Sequence, residues 1–434
     1  MKIIQFLGEL DEHGTGRYII ELNKALKMIG HDVEIVYFEN SFDDDKLFVQ
    51  KIPNVTYMKY GDELLNKLNS ADMVFINIMI HVKAKEQSRK EFYDIVNRID
   101  NPTVVAFNNE HGLPRWQVYY NEFTGGEDKL DLLRRIDKFV TFSPYNKLFQ
   151  KLKKIYPEID KKFVHLQHPY SFSETNNFVD FDNKYRRVTY MGRFASFKDP
   201  SYILRHRSHF IDNNYQLEMR GMVRTFTMAT VPGMVYVDFN AKPRVKSPFV
   251  LELLTQKNIN EYYPDESKND PDLIHLKDRD IDKIYLFGRY KREKGMEAMS
   301  HSLFGCNFIY FKNHLMFGDN VEYTVAEMID MGTIPLLNYE LMSNCRLYDK
   351  DGNVTDKIAT DYPCGICFNR EGENAAEAVK QMNKLANDKK AYDKYRHECL
   401  AFYKELFNPA KVASKLIKDI MNPDNSQILA RFNY

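Results

Sequence analysis

No stretch of the 434 residues approaches the roughly 20 consecutive apolar residues that a membrane-spanning helix needs. The opening Met1-Lys2-Ile3-Ile4-Gln5-Phe6-Leu7-Gly8 is apolar but too short for a secretory leader, and it carries no cleavage pattern. The cytoplasm is therefore the expected address. Cysteine is scarce. The five present (Cys306, Cys345, Cys364, Cys367, Cys399) have no regular spacing, which argues against a disulfide framework in a chain this long. Cys364-Gly365-Ile366-Cys367 has redox spacing but no second pair to complete a zinc site, and it reads as two ordinary thiols. An excess of one charge is missing too. Lys+Arg and Asp+Glu both count 61, so no global positive field marks a nucleic-acid binder and any polyanion site must be a local patch. There is no internal repeat and no low-complexity tract.

What is present is ordinary globular material. Hydrophobic residues at 44% and charged residues at 28% accompany a high 14% of aromatics, which excludes a disordered chain. The length suits two or three domains. Lys2 to Leu7 reads as a buried strand, Gly8 to Gly16 as a glycine-punctuated loop, and Tyr18 to Met28 as an amphipathic helix with Ile19, Leu22, Leu26 and Ile29 on one stripe. Gly30-His31-Asp32 then turns into a strand over Val33 to Phe38, a βαβ opening that implies a parallel sheet. Further strands are expected at Met73 to Ile76, Thr103 to Phe107 and Lys138 to Phe142. The pattern restarts at Arg187 to Gly192, with strands at Gln216 to Met219, Ile284 to Phe287 and Thr333 to Leu337. Two α/β halves follow. Asn240 to Asp282 reads as an irregular insertion, Asn374 to Leu406 as helical, and Pro409 as a stop or kink before a last helix near Ala413 to Met421.

Three short blocks could carry chemistry. Gly14-Thr15-Gly16-Arg17 lies between the first strand and first helix, where backbone amides can face a phosphate or sugar. With no third glycine and with Glu39 rather than an Asp after the second strand, it argues against nicotinamide binding, and a simple tight turn fits it equally well. Gly192-Arg193 with Lys198 puts two cations after the first strand of the second half, suited to a diphosphate leaving group; taken alone, a solvated basic loop is the simpler reading. Finally Asp319-Asn320-Val321-Glu322-Tyr323-Thr324-Val325-Ala326-Glu327 opens a helix near Glu322 that ends at Gly332. Its amides and dipole can hold phosphate, and Glu327 can accept hydrogen bonds from ribose hydroxyls.

Other candidates are single residues or clusters. His111 beside Glu110 follows a strand's carboxyl end, where α/β crevices bind ligands. Arg115 and Trp116, the latter the chain's one tryptophan, could stack on a nucleobase or wedge a duplex, while Trp116 as a hydrophobic plug is as good a reading. Basic clusters at Lys147 to Lys154, Arg205 to His209, Lys242 to Lys246 and Arg289 to Lys294 suit DNA only if they share a face. Asp278-Arg279-Asp280 mimics a metal-binding DxD and reads as surface loop.

Together the G-R-x4-K element and the tail from Glu327 through Gly332-Thr333-Ile334-Pro335 resemble those of nucleotide-sugar glycosyltransferases of the GT-B architecture. Within it the chain resembles the T-even bacteriophage DNA α-glucosyltransferase-like family, along nearly its whole length. The shared strings include Gly30-His31-Asp32-Val33, Val104 to His111, Gly192-Arg193 with Lys198, Glu322-Tyr323-Thr324, Gly332-Thr333-Ile334-Pro335 and Ala391-Tyr392-Asp393. The resemblance implies an α/β fold of two Rossmann-like doubly wound domains facing a central cleft. Residues 1–185 would be the acceptor (DNA) domain and 186–405 the nucleotide-sugar domain with its insertion at about 240–282. A helical segment, 406–434, would return to the N-terminal domain.

It further implies transfer of a sugar from a UDP-sugar to the hydroxymethyl group of 5-hydroxymethylcytosine in duplex phage DNA. Configuration would be retained, the target base flipped out, and the DNA protected from host nucleases. Arg193 and Lys198 would hold the diphosphate, Glu327 the ribose, and Glu322, Tyr323 and Thr324 the sugar or phosphate, with Gly14, Gly16 and Glu21 at the first loop and helix. Glu110 and His111 would position sugar and acceptor, and Arg115 and Trp116 would touch DNA. Asn109-Glu110-His111 departs from the family's His-Asp-His, and Asp319 fits the broader E-x7-E pattern better than the phage enzyme's. Glucose and a pentose such as arabinose are therefore both admitted as donors. No permanently bound cofactor, no metal held by protein ligands and a monomer are expected. A glycan or lipid GT-B glycosyltransferase is the alternative, and a non-catalytic DNA- or nucleotide-sugar-binding protein is a third.

Overall fold

The computed structural model describes residues 1–8, 14–38, 54–77, 86–108, 134–141, 157–165, 167–175, 178–192, 194–195, 202–203, 206–220, 223–225, 234–237, 284–287, 292–308, 321–349, 351 and 353–425. The 240–282 insertion and most of the basic clusters lie outside them.

The N-terminal half is built on β1 (Lys2–Leu7), β2 (Asp32–Phe38), β3 (Val55–Met58), β4 (Met73–Asn77), β5 (Thr103–Asn108), β6 (Lys138–Thr141) and β7 (Phe163–His165). They form a seven-stranded sheet in the order β3-β2-β1-β4-β5-β6-β7, each neighbouring pair parallel. Helices α1 (Gly14–Met28), α2 (Asp62–Asn69) and α3 (Glu86–Arg98) connect its strands. Strand alternation divides β1 between two cores. Ile3 and Leu7 pack with Tyr18, Leu22 and Leu26 of α1, while Ile4 and Phe6 pack with Leu64 and Leu68 of α2 and Phe92 and Val96 of α3.

The second half repeats the plan with β8 (Tyr185–Met191), β9 (Gln216–Arg220), β10 (Met234–Val237), β11 (Ile284–Phe287), β12 (Ser302–Asn307), β13 (Ile334–Asn338) and β14 (Ile366–Phe368). This sheet too is seven-stranded and parallel, in the order β10-β11-β9-β8-β12-β13-β14. Its helices are α4 (Arg207–Ile211), α5 (Arg292–Ser300), α6 (Tyr323–Asp330), α7 (Tyr339–Asn344), α8 (Ala375–Ala386), α9 (Lys389–Leu406) and α10 (Pro409–Met421). In each half the first strand lies inside the sheet where strand order reverses, the place at which open α/β sheets bind ligands.

Several expectations need correction. Gly14 to Arg17 is not loop but the first turn of α1, which tolerates glycine because its amides have no carbonyl to bond. β3, β7, β12 and β14 carry no alternation that would announce them; β12 is buried at every position, as a central parallel strand must be. The 374–406 stretch is helical as expected, in two helices, with Asp388 capping α9 by accepting from the Ala391 amide at 3.0 Å. Pro409 is the first residue of α10 rather than a break before Ala413.

α10 returns to the N-terminal half. Val412, Leu416 and Ile420 share a core with Leu22 and Leu26 of α1, and beyond them the Asn425 amide donates to the Lys161 carbonyl at 3.1 Å. That core also holds Tyr170 from the connector between the halves and Tyr323, Val325, Ala326 and Ile329 of α6. The two sheets are thus joined along a seam made by α1, α6, α9, α10 and the connector.

Candidate active site

α6 begins at the carboxyl edge of the second sheet. Its N-cap, Glu322, is extended at φ −73° and ψ 158°, but the side chain does not cap the helix; it accepts from Asn307 Nδ2 at 3.1 Å at the end of β12. The amides of Tyr323 and Thr324, in the first turn, have no helical carbonyl ahead of them. With the helix dipole they can receive an anion. The helix ends at Gly332, where φ is +67° and a Cβ would stand 2.5 Å from Phe178 Cγ. Only glycine fits there.

The seam presents one face of α6 to the N-terminal half. Arg17 of α1 reaches across, its Nη1 3.3 Å from Glu327 Oε1, and its guanidinium carbon lies 5.1 Å from the centre of the Tyr170 ring. Arg17 Nε is 3.9 Å from Glu21 Oε1, and Glu21, itself buried, also takes Lys24 Nζ at 3.1 Å and the Ser171 amide at 3.0 Å. One turn past Glu327, Asp330 accepts from Tyr170 Oη at 3.2 Å and from the Ser173 amide and hydroxyl at 2.9 and 3.0 Å. The Tyr323 ring is in the core, 4.6 Å from His168 and 6.1 Å from Tyr170 between ring centres. Burial, and after it the Glu21 charge, pushes the Tyr323 phenol well above its ordinary value. Because the ring is packed into the core, contact from Tyr323 to an anion would come from its backbone amide.

Of the residues singled out in the sequence, Gly14 and Gly16 fall in the first turn of α1, and Glu322, Tyr323, Thr324 and Glu327 gather at the start of α6. Glu110, His111, Arg115, Trp116, Arg193, Lys198 and Asp319 lie outside the described residues. In sequence, Glu110 follows β5, which runs to Asn108, and Arg193 follows β8, which runs to Met191. Sequence reasoning did not single out Asn307, whose strand it missed, nor Tyr170 and Asp330, which nothing local marks. Arg17 stood in the opening block without a role. Among the described residues, no three His, Cys, Asp or Glu side chains gather as a metal site, and no helix is long and apolar enough to cross a membrane.

No protein-family model matches the chain, and no curated protein matches it by sequence. Solved structures do match by shape. An α-glucosyltransferase in complex with UDP and a 13-mer DNA containing a HMU base superposes with a TM-score of 0.70 at 16% identity, over 97% of this chain and 99% of that one. An α-glucosyltransferase with UDP-glucose and DNA containing an abasic site gives 0.71 at 16%, over the same shares of 97% and 99%. The catalytic domain of starch synthase IV from Arabidopsis thaliana, bound to ADP and acarbose, gives 0.54 at 12%, over 95% and 99%. The chain therefore has the GT-B fold of nucleotide-sugar glycosyltransferases, two parallel doubly wound sheets with a C-terminal helix returning to the first. Its likeness to the α-glucosyltransferase spans essentially the whole of both chains, and at this identity it is a likeness of fold.

Proposed function

We propose that the protein is a glycosyltransferase that moves a sugar from a UDP-sugar to the hydroxymethyl group of 5-hydroxymethylcytosine in duplex DNA. The observation that carries this reading is the whole-chain likeness in fold to an α-glucosyltransferase solved with UDP and DNA. In this reading residues 1–185 take the DNA, 186–405 take the nucleotide-sugar and 406–434 tie back to the first half. The α6 amides, Arg193 and Lys198 neutralise charge growing on the departing diphosphate. Asn307 orients Glu322 toward the sugar or phosphate, Glu327 receives the ribose, and Asp319 is a further donor contact. Gly14 and Gly16 let the first turn of α1 approach the donor closely.

With retention of configuration, the departing β-phosphate oxygen accepts the proton of the attacking hydroxyl as the new glycosidic bond forms and the bond to phosphate breaks, and no protein nucleophile is required. Glu110 and His111 contribute by orienting sugar and hydroxyl. Arg115 and Trp116 hold DNA from which the target base has left the stack. The cations and helix amides fill the role a protein-bound metal has elsewhere. Such a product would shield phage DNA from nucleases in its host's cytoplasm.

Nucleoside mass spectrometry tests this. DNA containing 5-hydroxymethylcytosine, and cytosine DNA beside it, is incubated with the protein and a mixture of UDP-hexoses and UDP-pentoses. A hexose or pentose added to the modified DNA alone is expected, and its mass separates glucose from a pentose such as arabinose. Addition to neither DNA would sink the reading and turn attention to glycan acceptors, a class favoured by the likeness to starch synthase IV.

A further inference from the structure

Arg17 belongs to the N-terminal half and Glu327 to the other, yet the two are paired at 3.3 Å with side chains only 26% and 12% exposed. The pair ends a chain of alternating charge, Lys24 to Glu21 to Arg17 to Glu327, backed by the Tyr170 ring. This is more order than a surface arginine needs. Nor is it required to dock α6, because Asp330 already ties that helix to the connector through Tyr170 and Ser173.

We propose that Arg17 is a positioning residue of the nucleotide site: it fixes the Glu327 carboxylate for the donor's ribose hydroxyls, so that ribose recognition depends on contact between the two halves. The inference rests on the UDP-sugar reading above. A carboxylate has about four acceptor positions, so the one contact from Arg17 does not by itself close Glu327 to ribose hydroxyls. A carboxylate already held in one rotamer loses less freedom when those hydroxyls arrive, which is the ordinary gain from preorganisation. Arg17 is itself held, since Glu21 is anchored by the Ser171 amide at 3.0 Å.

Calorimetric titration of the full chain with UDP and with 2′,3′-dideoxy-UDP separates this role from a structural one. Unsubstituted protein should prefer UDP. Arg17→Met should weaken UDP about tenfold or more, the scale of one charge-assisted hydrogen bond, while changing dideoxy-UDP little. Arg17→Lys should recover part of the preference, and adding Arg17→Met to Glu327→Gln should cost nothing further. Equal weakening of both ligands by Arg17→Met and by Arg17→Lys, or no weakening, would overturn the proposal. Loss of the preference in Glu327→Gln but not in Arg17→Met would overturn the role of Arg17 alone. Protein that binds no UDP at all would overturn the function reading together with it.

Discussion

The two sheets share a plan but bury different chemistry. In the N-terminal sheet β1, β2 and β4 are largely apolar, with Gln5 a buried polar residue in the middle of β1. In the C-terminal sheet the neighbouring strands β8 and β9 carry Arg187, Glu218 and Arg220, each at most 1% exposed. Arg187 Nη1 lies 2.9 Å from Glu218 Oε2, and Arg220 bonds the other carboxylate oxygen. Arg187 also donates to Ser302 Oγ at 2.9 Å and the Ala298 carbonyl at 2.8 Å, linking β8 to β12 and α5. An apolar sheet is held by burial, which is non-directional. An ionic network is satisfied in one register only, and it costs desolvation to keep. It lies on β8, which leads into Gly192, and on its neighbour β9, whose Arg220 carbonyl accepts from the Gly192 amide at 2.9 Å.

Breaking that network should have the largest effect. Glu218→Leu leaves two buried guanidiniums without their carboxylate and should lower stability by about 3–5 kcal/mol in urea unfolding. Its counterpart Gln5→Leu removes a buried carbonyl oxygen that has no hydrogen-bond partner among the described residues, and should shift stability by less than about 1 kcal/mol. Equal losses in the two variants would erase the contrast. Gly332→Ala comes next. With φ at +67° and Phe178 in the way, it should cost about 1–3 kcal/mol, read by thermal unfolding.

A subtler difference lies at Lys184, at the entrance to β8. Its stem is partly exposed, but its ammonium donates to the Ser300 and Ser302 carbonyls. Burial, and after it the charges of Arg396 and Arg187, holds its pKa well below the ordinary 10.5. In the window between the folded value and 10.5 the unfolded chain binds more protons, so stability rises with pH there. The urea midpoint of the unsubstituted protein should therefore climb relative to Lys184→Met on going from about pH 7 to about pH 10. A falling difference would reverse the sign. A modest effect is also expected of Asn408→Ala, which removes the side-chain acceptor for the Lys411 amide at the start of α10 and should cost about 1 kcal/mol in the same assay.

Most of the plan was legible without coordinates. The strands at Lys2, Met73, Thr103, Gln216 and Ile284 and the helix ending at Gly332 announce themselves through short apolar runs and glycine punctuation. What escaped did so for physical reasons. β12, Ser302-Leu303-Phe304-Gly305-Cys306-Asn307, has small or polar residues at half its positions, and Gly305 is there because a Cβ would stand 2.8 Å from the sulfurs of Met299 and Met328. That demand comes from α5 and α6 pressing on the sheet, and no local pattern encodes it.

The sequence by itself determined the two α/β halves, the acids of α6 and the basic segment after β8, because hydrophobic periodicity and turn residues act over a few neighbours. Only the tertiary structure decided that Glu327 meets Arg17, that Glu322 is held by Asn307 and that the Tyr323 ring turns into the core. The Arg17 and Tyr323 contacts join residues far apart in the chain across a seam that exists only once both sheets have formed, and the Asn307 contact joins a strand end to the next helix start, so their partners are chosen by packing and not by spacing.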